Sequence, residues 1–144
     1  MRNRVAVLHG VNLDALDRRP AEHYGGLTFT RLELRIEQFA RALGLEPHFF
    51  HSNHEGDYVE ELHKAPDYAD GLLLNPGAWT HYAWSLRDAV EVASLPAVEV
   101  HLSDVRAREA FRAVSVLDGV CLASVSGRGV DGYKVALERL KEAL

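Results

Sequence analysis

Tyr24 follows Arg18 and Arg19 in a stretch that continues into Gly25-Gly26. A phenol is almost wholly neutral at physiological pH, and a guanidinium held beside it favours the anion. A tyrosinate made in this way is a competent base for a carbon next to a carbonyl. Packing of the tyrosine on its own loop is the other reading. Glu99-Val100-His101 is the second candidate. Residues two apart on a strand share a face, so the carboxylate can orient the imidazole or favour its charged form. The same spacing also suits a purely structural pair. His81 lies just past Asn75-Pro76-Gly77, where it could serve a site or cap a helix near Thr80. Arg108 and Arg112 are one helical turn apart and could face one anion, although two solvated arginines are the usual outcome of such spacing. Arg87-Asp88 reads equally well as surface charge.

Other patterns are weaker. His48, His51 and His54 recur every third residue, but they straddle a strand and a turn, where that period keeps no common face. Surface or capping roles suit them better than a metal. Gly127-Arg128-Gly129-Val130-Asp131-Gly132 matches G-x-G-x-x-G, yet the chain ends with the helix that follows. No later strand completes a nucleotide-binding unit, so a tight turn is expected. Gly10-Val11-Asn12 and Gly25-Gly26 do not complete a phosphate loop.

The elements that must position these residues can be read from apolar periodicity. Val5–Leu8, Pro47–His51, Gly71–Asn75, Ala97–His101 and Val120–Val125 read as strands. Thr30–Leu43, Tyr58–Ala65, Ala83–Ala93 and Val130–Leu144 read as helices, with a shorter one over Arg106–Phe111. The helix over Thr30–Leu43 takes Leu32, Leu34, Ile36, Phe39, Ala40 and Leu43 as its apolar set. Strands alternating with helices imply right-handed crossovers and an α/β doubly wound five-stranded parallel sheet with helices on both faces. Ligands of such sheets bind at the carboxyl ends of strands. Polar residues cluster there: His9 to Asn12, Ser52 to Gly56, Asn75 to Gly77, and His101 to Ser103. The stretch from His9 to about Leu27 is the longest irregular one and has the character of a lid.

Composition bounds the function. The chain has 144 residues, 47% of them hydrophobic and 26% charged, which suits one soluble domain spanning 1–144. A net charge of −5 argues against non-specific nucleic-acid binding. The lone Cys121 excludes an internal disulfide and reads as a buried, inert thiol. Neither a signal-peptide core nor a membrane span is evident, so a cytoplasmic protein without a membrane partner is expected.

Together the segments resemble the type II 3-dehydroquinate dehydratases. Gly10-x-Asn12-Leu13, Arg19 and Tyr24-Gly25 are similar to that family's first signature, and Ser52-Asn53-His54-Glu55-Gly56 to its second. Asn75 to His81, continuing through Leu86-Arg87-Asp88-Ala89, resembles the third. Pro96 to Ser103, through Arg106-Ala107-Arg108-Glu109-x-Phe111-Arg112, resembles the fourth. Gly132-Tyr133 with Ala136-Leu137 resembles the closing helix. The order is the family's, and nearly the whole chain is covered. The resemblance implies a flavodoxin-like fold, dehydration of 3-dehydroquinate to 3-dehydroshikimate through an enolate, no metal, no cofactor, and trimers assembled into a dodecamer.

It also implies roles. Tyr24 would take the C2 proton, with Arg19 stabilising its anion, and Asn12 would position a water at the enolate. His101, oriented by Glu99, would protonate the departing C1 hydroxyl. Asn75, His81 and Arg112 would hold ring hydroxyls. Leu102 and Ser103 would take the carboxylate, and Asp88 would reach a neighbouring subunit's site. The chain departs from the family pattern near the lid. Val11 stands where the family has proline, Asp14-Ala15-Leu16-Asp17 where it has Asn-Leu-Leu-Gly, and Pro20-Ala21 where it has Glu-Pro. Gly127-Arg128-Gly129 stands where the family has Gly-Leu-Gly. These changes leave a non-catalytic or divergent homologue, binding a related cyclic hydroxy acid, as the alternative.

Overall fold

The computed structural model describes residues 1–144. Its strands are β1 (Arg4–His9), β2 (Glu46–His51), β3 (Gly71–Asn75), β4 (Ala97–Val100) and β5 (Ala123–Val125). They form one parallel sheet in the order β2-β1-β3-β4-β5, the expected doubly wound arrangement. The helices are α1 (Ala21–Tyr24), α2 (Phe29–Ala42), α3 (Glu55–Lys64), α4 (Trp84–Ala93) and α5 (Asp131–Glu142).

Strand alternation divides the core in two. Val5, Val7, Leu73, Val98 and Val100 pack with Leu32 and Ile36 of α2 and with Tyr133 and Leu137 of α5. Ala6, Leu8, Leu72, Leu74 and Ala97 point the other way, onto Tyr58 and Leu62 of α3 and Leu86 and Val90 of α4. Both faces are therefore covered, as parallel strands require. Leu32, Ile36 and Ala40 are the buried stripe of α2, and the Thr28 side chain caps its start by accepting from the Arg31 amide at 3.2 Å. Leu34 does not belong to that stripe. Two residues along a helix turn the side chain about 200° away, and Leu34 faces solvent.

Three expectations are corrected. The fifth strand begins at Ala123, because the Val120 and Cys121 amides both turn back to the Leu117 carbonyl at 3.1 Å. In place of a helix over Arg106–Phe111 there are two short 3₁₀ turns, Val105–Ala107 and Ala110–Ala113, separated by non-helical backbone at Arg108 (φ −100°, ψ −148°). The stretch after β1 is not irregular throughout: it holds a 3₁₀ segment over Leu13–Arg18 and the single turn α1.

The carboxyl ends of β1 and β3 meet closely. A Cβ at Gly10 would overlap the Pro76 backbone, and one at Gly77 (φ +65°) would lie 2.7 Å from the Val11 carbonyl oxygen. Glycine is required at both places, and the loops carrying Asn12 and Asn75 are held side by side.

At the opposite end, Arg4 grips Asp70 through its backbone amide (3.0 Å), Nε (3.2 Å) and Nη2 (3.1 Å). The Arg4 side-chain hydrogen bonds hold the Asp70 carboxyl down at about 2. A carboxyl depressed in the folded state adds stability above its unfolded value, near ~3.9, and loses it as pH falls through about 2. Asp70→Asn should therefore lower the urea midpoint at pH 7, modestly because the Arg4 side chain is 42% exposed. The gap from wild type should close as pH falls from 4 toward 2. Urea titrations across that range check it, and a gap that stayed constant would count against the ion pair.

Candidate active site

Tyr24 sits at the end of α1, where the lid folds back over the sheet, and its ring packs on the first core layer. Its phenol oxygen accepts two guanidinium hydrogen bonds, from Arg19 Nη2 at 2.9 Å and Arg108 Nη1 at 2.8 Å. Both guanidinium carbons also lie over the ring, at 4.6 and 5.5 Å from its centroid. Arg108 Nη1 also donates to Ser103 Oγ at 3.3 Å, which ties the lid to the loop after β4. Two guanidinium donors, one from the lid and one from the segment after β4, thus converge on a single phenol oxygen.

His101 follows the end of β4, and its Nε2 is 2.6 Å from Glu99 Oε2. Glu99 is 1% exposed and receives two further donors: Ser115 Oγ at 2.7 Å on Oε1, and the Thr80 hydroxyl on Oε2. Burial by itself would raise this carboxyl, but the hydrogen bonds from His101, Thr80 and Ser115 outweigh it and hold it below the usual carboxylate range. Glu99 is thus an anion that fixes the imidazole plane. His81 stacks on His101 with ring centroids 6.4 Å apart, and its Nδ1 lies 2.7 Å from the Val114 carbonyl oxygen. Burial lowers its pKa, and neighbouring His101 and Arg112 lower it further, so the neutral ring is favoured.

One cavity of about 290 Å³ gathers Asn12, Arg19, Tyr24, Asn75, His81, His101, Leu102, Ser103, Arg108 and Arg112. It lies at the carboxyl ends of the strands, as the topology demands. A second cavity, of about 340 Å³, lies on the other side of the histidines and shares His81, His101 and Arg112 with the first. Asn75 is partly committed: its Nδ2 donates to the buried Tyr133 hydroxyl at 2.9 Å and its Oδ1 accepts from the Gly77 amide at 3.1 Å. One N–H and one lone pair remain for a ligand. The Leu102 and Ser103 amides donate to no backbone carbonyl, while their carbonyls accept from Gly129 (3.1 Å) and Gly127 (3.0 Å). Gly127 to Val130 therefore form a turn that supports the loop after β4, and Asp131 and Gly132 open α5. Arg112 is held by Glu109 at 2.6 Å.

Not every candidate lies in the 290 Å³ cavity. Glu99 sits behind His101 and lines the second cavity. Asp88 is exposed on α4, and neither cavity of this chain includes it. Arg87 is not simply surface charge, since it donates to the carbonyls of Val116 (2.8 Å) and Asp118 (2.6 Å). Cys121 is half-buried, and burial pushes its thiol up to about 12. The family resemblance assigns no role to Arg108, Thr80 or Ser115. Only Arg108 carried a signal, its spacing from Arg112.

Residues 3–141 match the family model described as Dehydroquinase class II. The chain belongs to the class II dehydroquinase family. It is 47% identical over 133 residues to a 3-dehydroquinate dehydratase of Bacillus licheniformis, covering 92% of each chain. A protein of the same name from Bacillus pumilus is 48% identical, covering 93% of this chain and 91% of that one. Among solved structures, the type II dehydroquinase from Butyrivibrio crossotus superposes with a TM-score of 0.92 at 34% identity, covering 97% of this chain and 98% of that one. Against the dehydroquinase pattern, Val11 lines the cavity and packs against Gly77, and Asp17 is exposed on the lid. Neither substitution removes a donor from the Tyr24 phenol.

Proposed function

We propose that this protein is a type II 3-dehydroquinate dehydratase, converting 3-dehydroquinate to 3-dehydroshikimate and water in the shikimate pathway. The observation that carries this reading is a phenol oxygen bonded by two guanidinium groups in the same cavity as a carboxylate-oriented histidine.

The chemistry follows from those groups. Tyr24, stabilised as its anion by Arg19 and Arg108, takes the C2 proton next to the C3 ketone. The electrons move onto the ketone oxygen, and Asn12 positions a water that stabilises this enolate. As the enolate collapses, the C1–oxygen bond breaks, and His101 supplies a proton so that the hydroxyl leaves as water. Base and acid thus have opposed demands, met by opposed environments: two cations at Tyr24 and a buried anion at His101. Asn75, His81 and Arg112 hold ring hydroxyls, and the Leu102 and Ser103 amides with the Ser103 hydroxyl receive the carboxylate. Asp88 acts on a neighbouring subunit's site in an assembly of trimers.

The test is direct. Purified protein with 3-dehydroquinate should develop the ultraviolet absorbance of a conjugated enone. Tight binding without absorbance would favour a binding protein and overturn the proposal.

A further inference from the structure

Asn53 and Asp14 lie outside the 290 Å³ cavity, yet Asn53 hydrogen-bonds Asn12, which lines it, and Asp14 hydrogen-bonds Asn53. Asn12 is one of only two non-glycine residues in the left-handed region (φ 69°, ψ 5°). That conformation is uncommon for a residue with a side chain and needs support from its surroundings. The support comes from the loop after β2. Asn53 Oδ1 accepts the Asn12 backbone N–H at 2.8 Å, and Asn53 Nδ2 donates to both Asp14 carboxylate oxygens, at 3.3 and 3.2 Å. A carboxylate can only accept, so Asp14 dictates which way the Asn53 amide faces. Asn53 is itself anchored. The Ser52 amide continues the sheet to the His9 carbonyl at 3.3 Å, and Ser52 Oγ accepts from the His54 amide at 2.9 Å.

We propose that Asn53 is a positioning residue for catalysis, clamping Asn12 in its left-handed conformation through its backbone N–H, with Asp14 setting the polarity of the clamp. This rests on the reading of Asn12 as the group that positions the enolate-stabilising water. Asn12 is exposed at the cavity mouth, and released from Asn53 its backbone relaxes toward more populated conformations that swing the side chain away. Interactions made mainly in the transition state then weaken, while ground-state binding, carried by other groups, does not.

The test uses wild type, Asn53→Ala, Asn53→Asp and the double variant Asn53→Asp with Asp14→Asn, with kcat, KM and thermal midpoint measured on each. Asn53→Ala removes the clamp, and Asn53→Asp sets two carboxylates against each other. Each should lose kcat about tenfold or more while KM stays within about threefold. The double variant rebuilds the clamp with reversed groups. The amide introduced at position 14 can donate to the carboxylate introduced at position 53, whose other oxygen accepts the Asn12 N–H. It should recover most of the lost kcat. Hydrogen exchange at the Asn12 amide, which needs no turnover, should quicken at least tenfold in Asn53→Ala. An active wild type with unchanged kcat in Asn53→Ala, a double variant without recovery, or unaltered Asn12 exchange would each overturn the clamp. Losses that merely follow the thermal midpoint would do the same. A wild type without turnover overturns the dehydratase reading instead, and is told apart because the exchange measurement still reports the clamp.

Discussion

Replacing Tyr24 with phenylalanine should lower kcat on 3-dehydroquinate about a thousandfold while leaving the fold in place. The substitution deletes one oxygen, the acceptor of both guanidinium hydrogen bonds, and keeps the ring that packs on the first core layer and lies under both cations. Positioned acid–base groups commonly supply a hundredfold to ten-thousandfold, and loss of the one phenol in the cavity belongs in that range. Arg108 keeps its bond to Ser103, so the lid retains a tie to the loop after β4. KM should therefore change by no more than a few-fold. Steady-state assays by enone absorbance, with circular dichroism as the control for folding, check both statements. A kcat within tenfold of wild type would remove Tyr24 from the role of base.

His101→Ala carries the second large effect, and here catalysis and stability move together. Losing the acid leaves hydroxide as the departing group, and kcat should fall by about a hundredfold to a thousandfold. The same change leaves Glu99, 1% exposed, without one of its donors, although Thr80 and Ser115 remain. Stripping a hydrogen-bond partner from a buried carboxylate costs about 1–3 kcal/mol. The thermal midpoint should fall by several degrees. Glu99→Gln separates the two contributions, because it removes the buried charge yet keeps a side-chain oxygen that can accept from the imidazole. It should lose less kcat than His101→Ala. Equal losses would mean that the anion, rather than the imidazole proton, carries the step.

Some of the site could be read from short-range rules. Glu99 and His101 share a face because strand side chains alternate, and the structure pairs them at 2.6 Å. Asn75, Leu102 and Ser103 could be placed near a ligand because they follow strands of a doubly wound sheet. Arg19 and Tyr24 are five residues apart and meet within one loop. Arg108 was legible only as half of a helical pair with Arg112. The helix it was assigned to is broken at Arg108 itself, and this non-helical backbone accompanies the turn of its guanidinium onto the Tyr24 phenol. Ser115 had no local signature, since it meets Glu99 from an irregular segment.

The division between the two sources of information is a division of range. Apolar runs of strand length, separated by helix-period stretches, are enough to specify a parallel doubly wound sheet and to collect its polar strand ends at one edge. Those rules act over a few residues and follow from alternation on a strand and 3.6 residues per turn of helix. The second partner of the phenol oxygen and the clamp on Asn12 obey no such rule. Arg108 reaches Tyr24 across 84 residues of chain, and Asn53 reaches Asn12 across 41. Contacts of that separation depend on how the lid closes on the loops after β2 and β4, and only the packed structure decides which donors meet there.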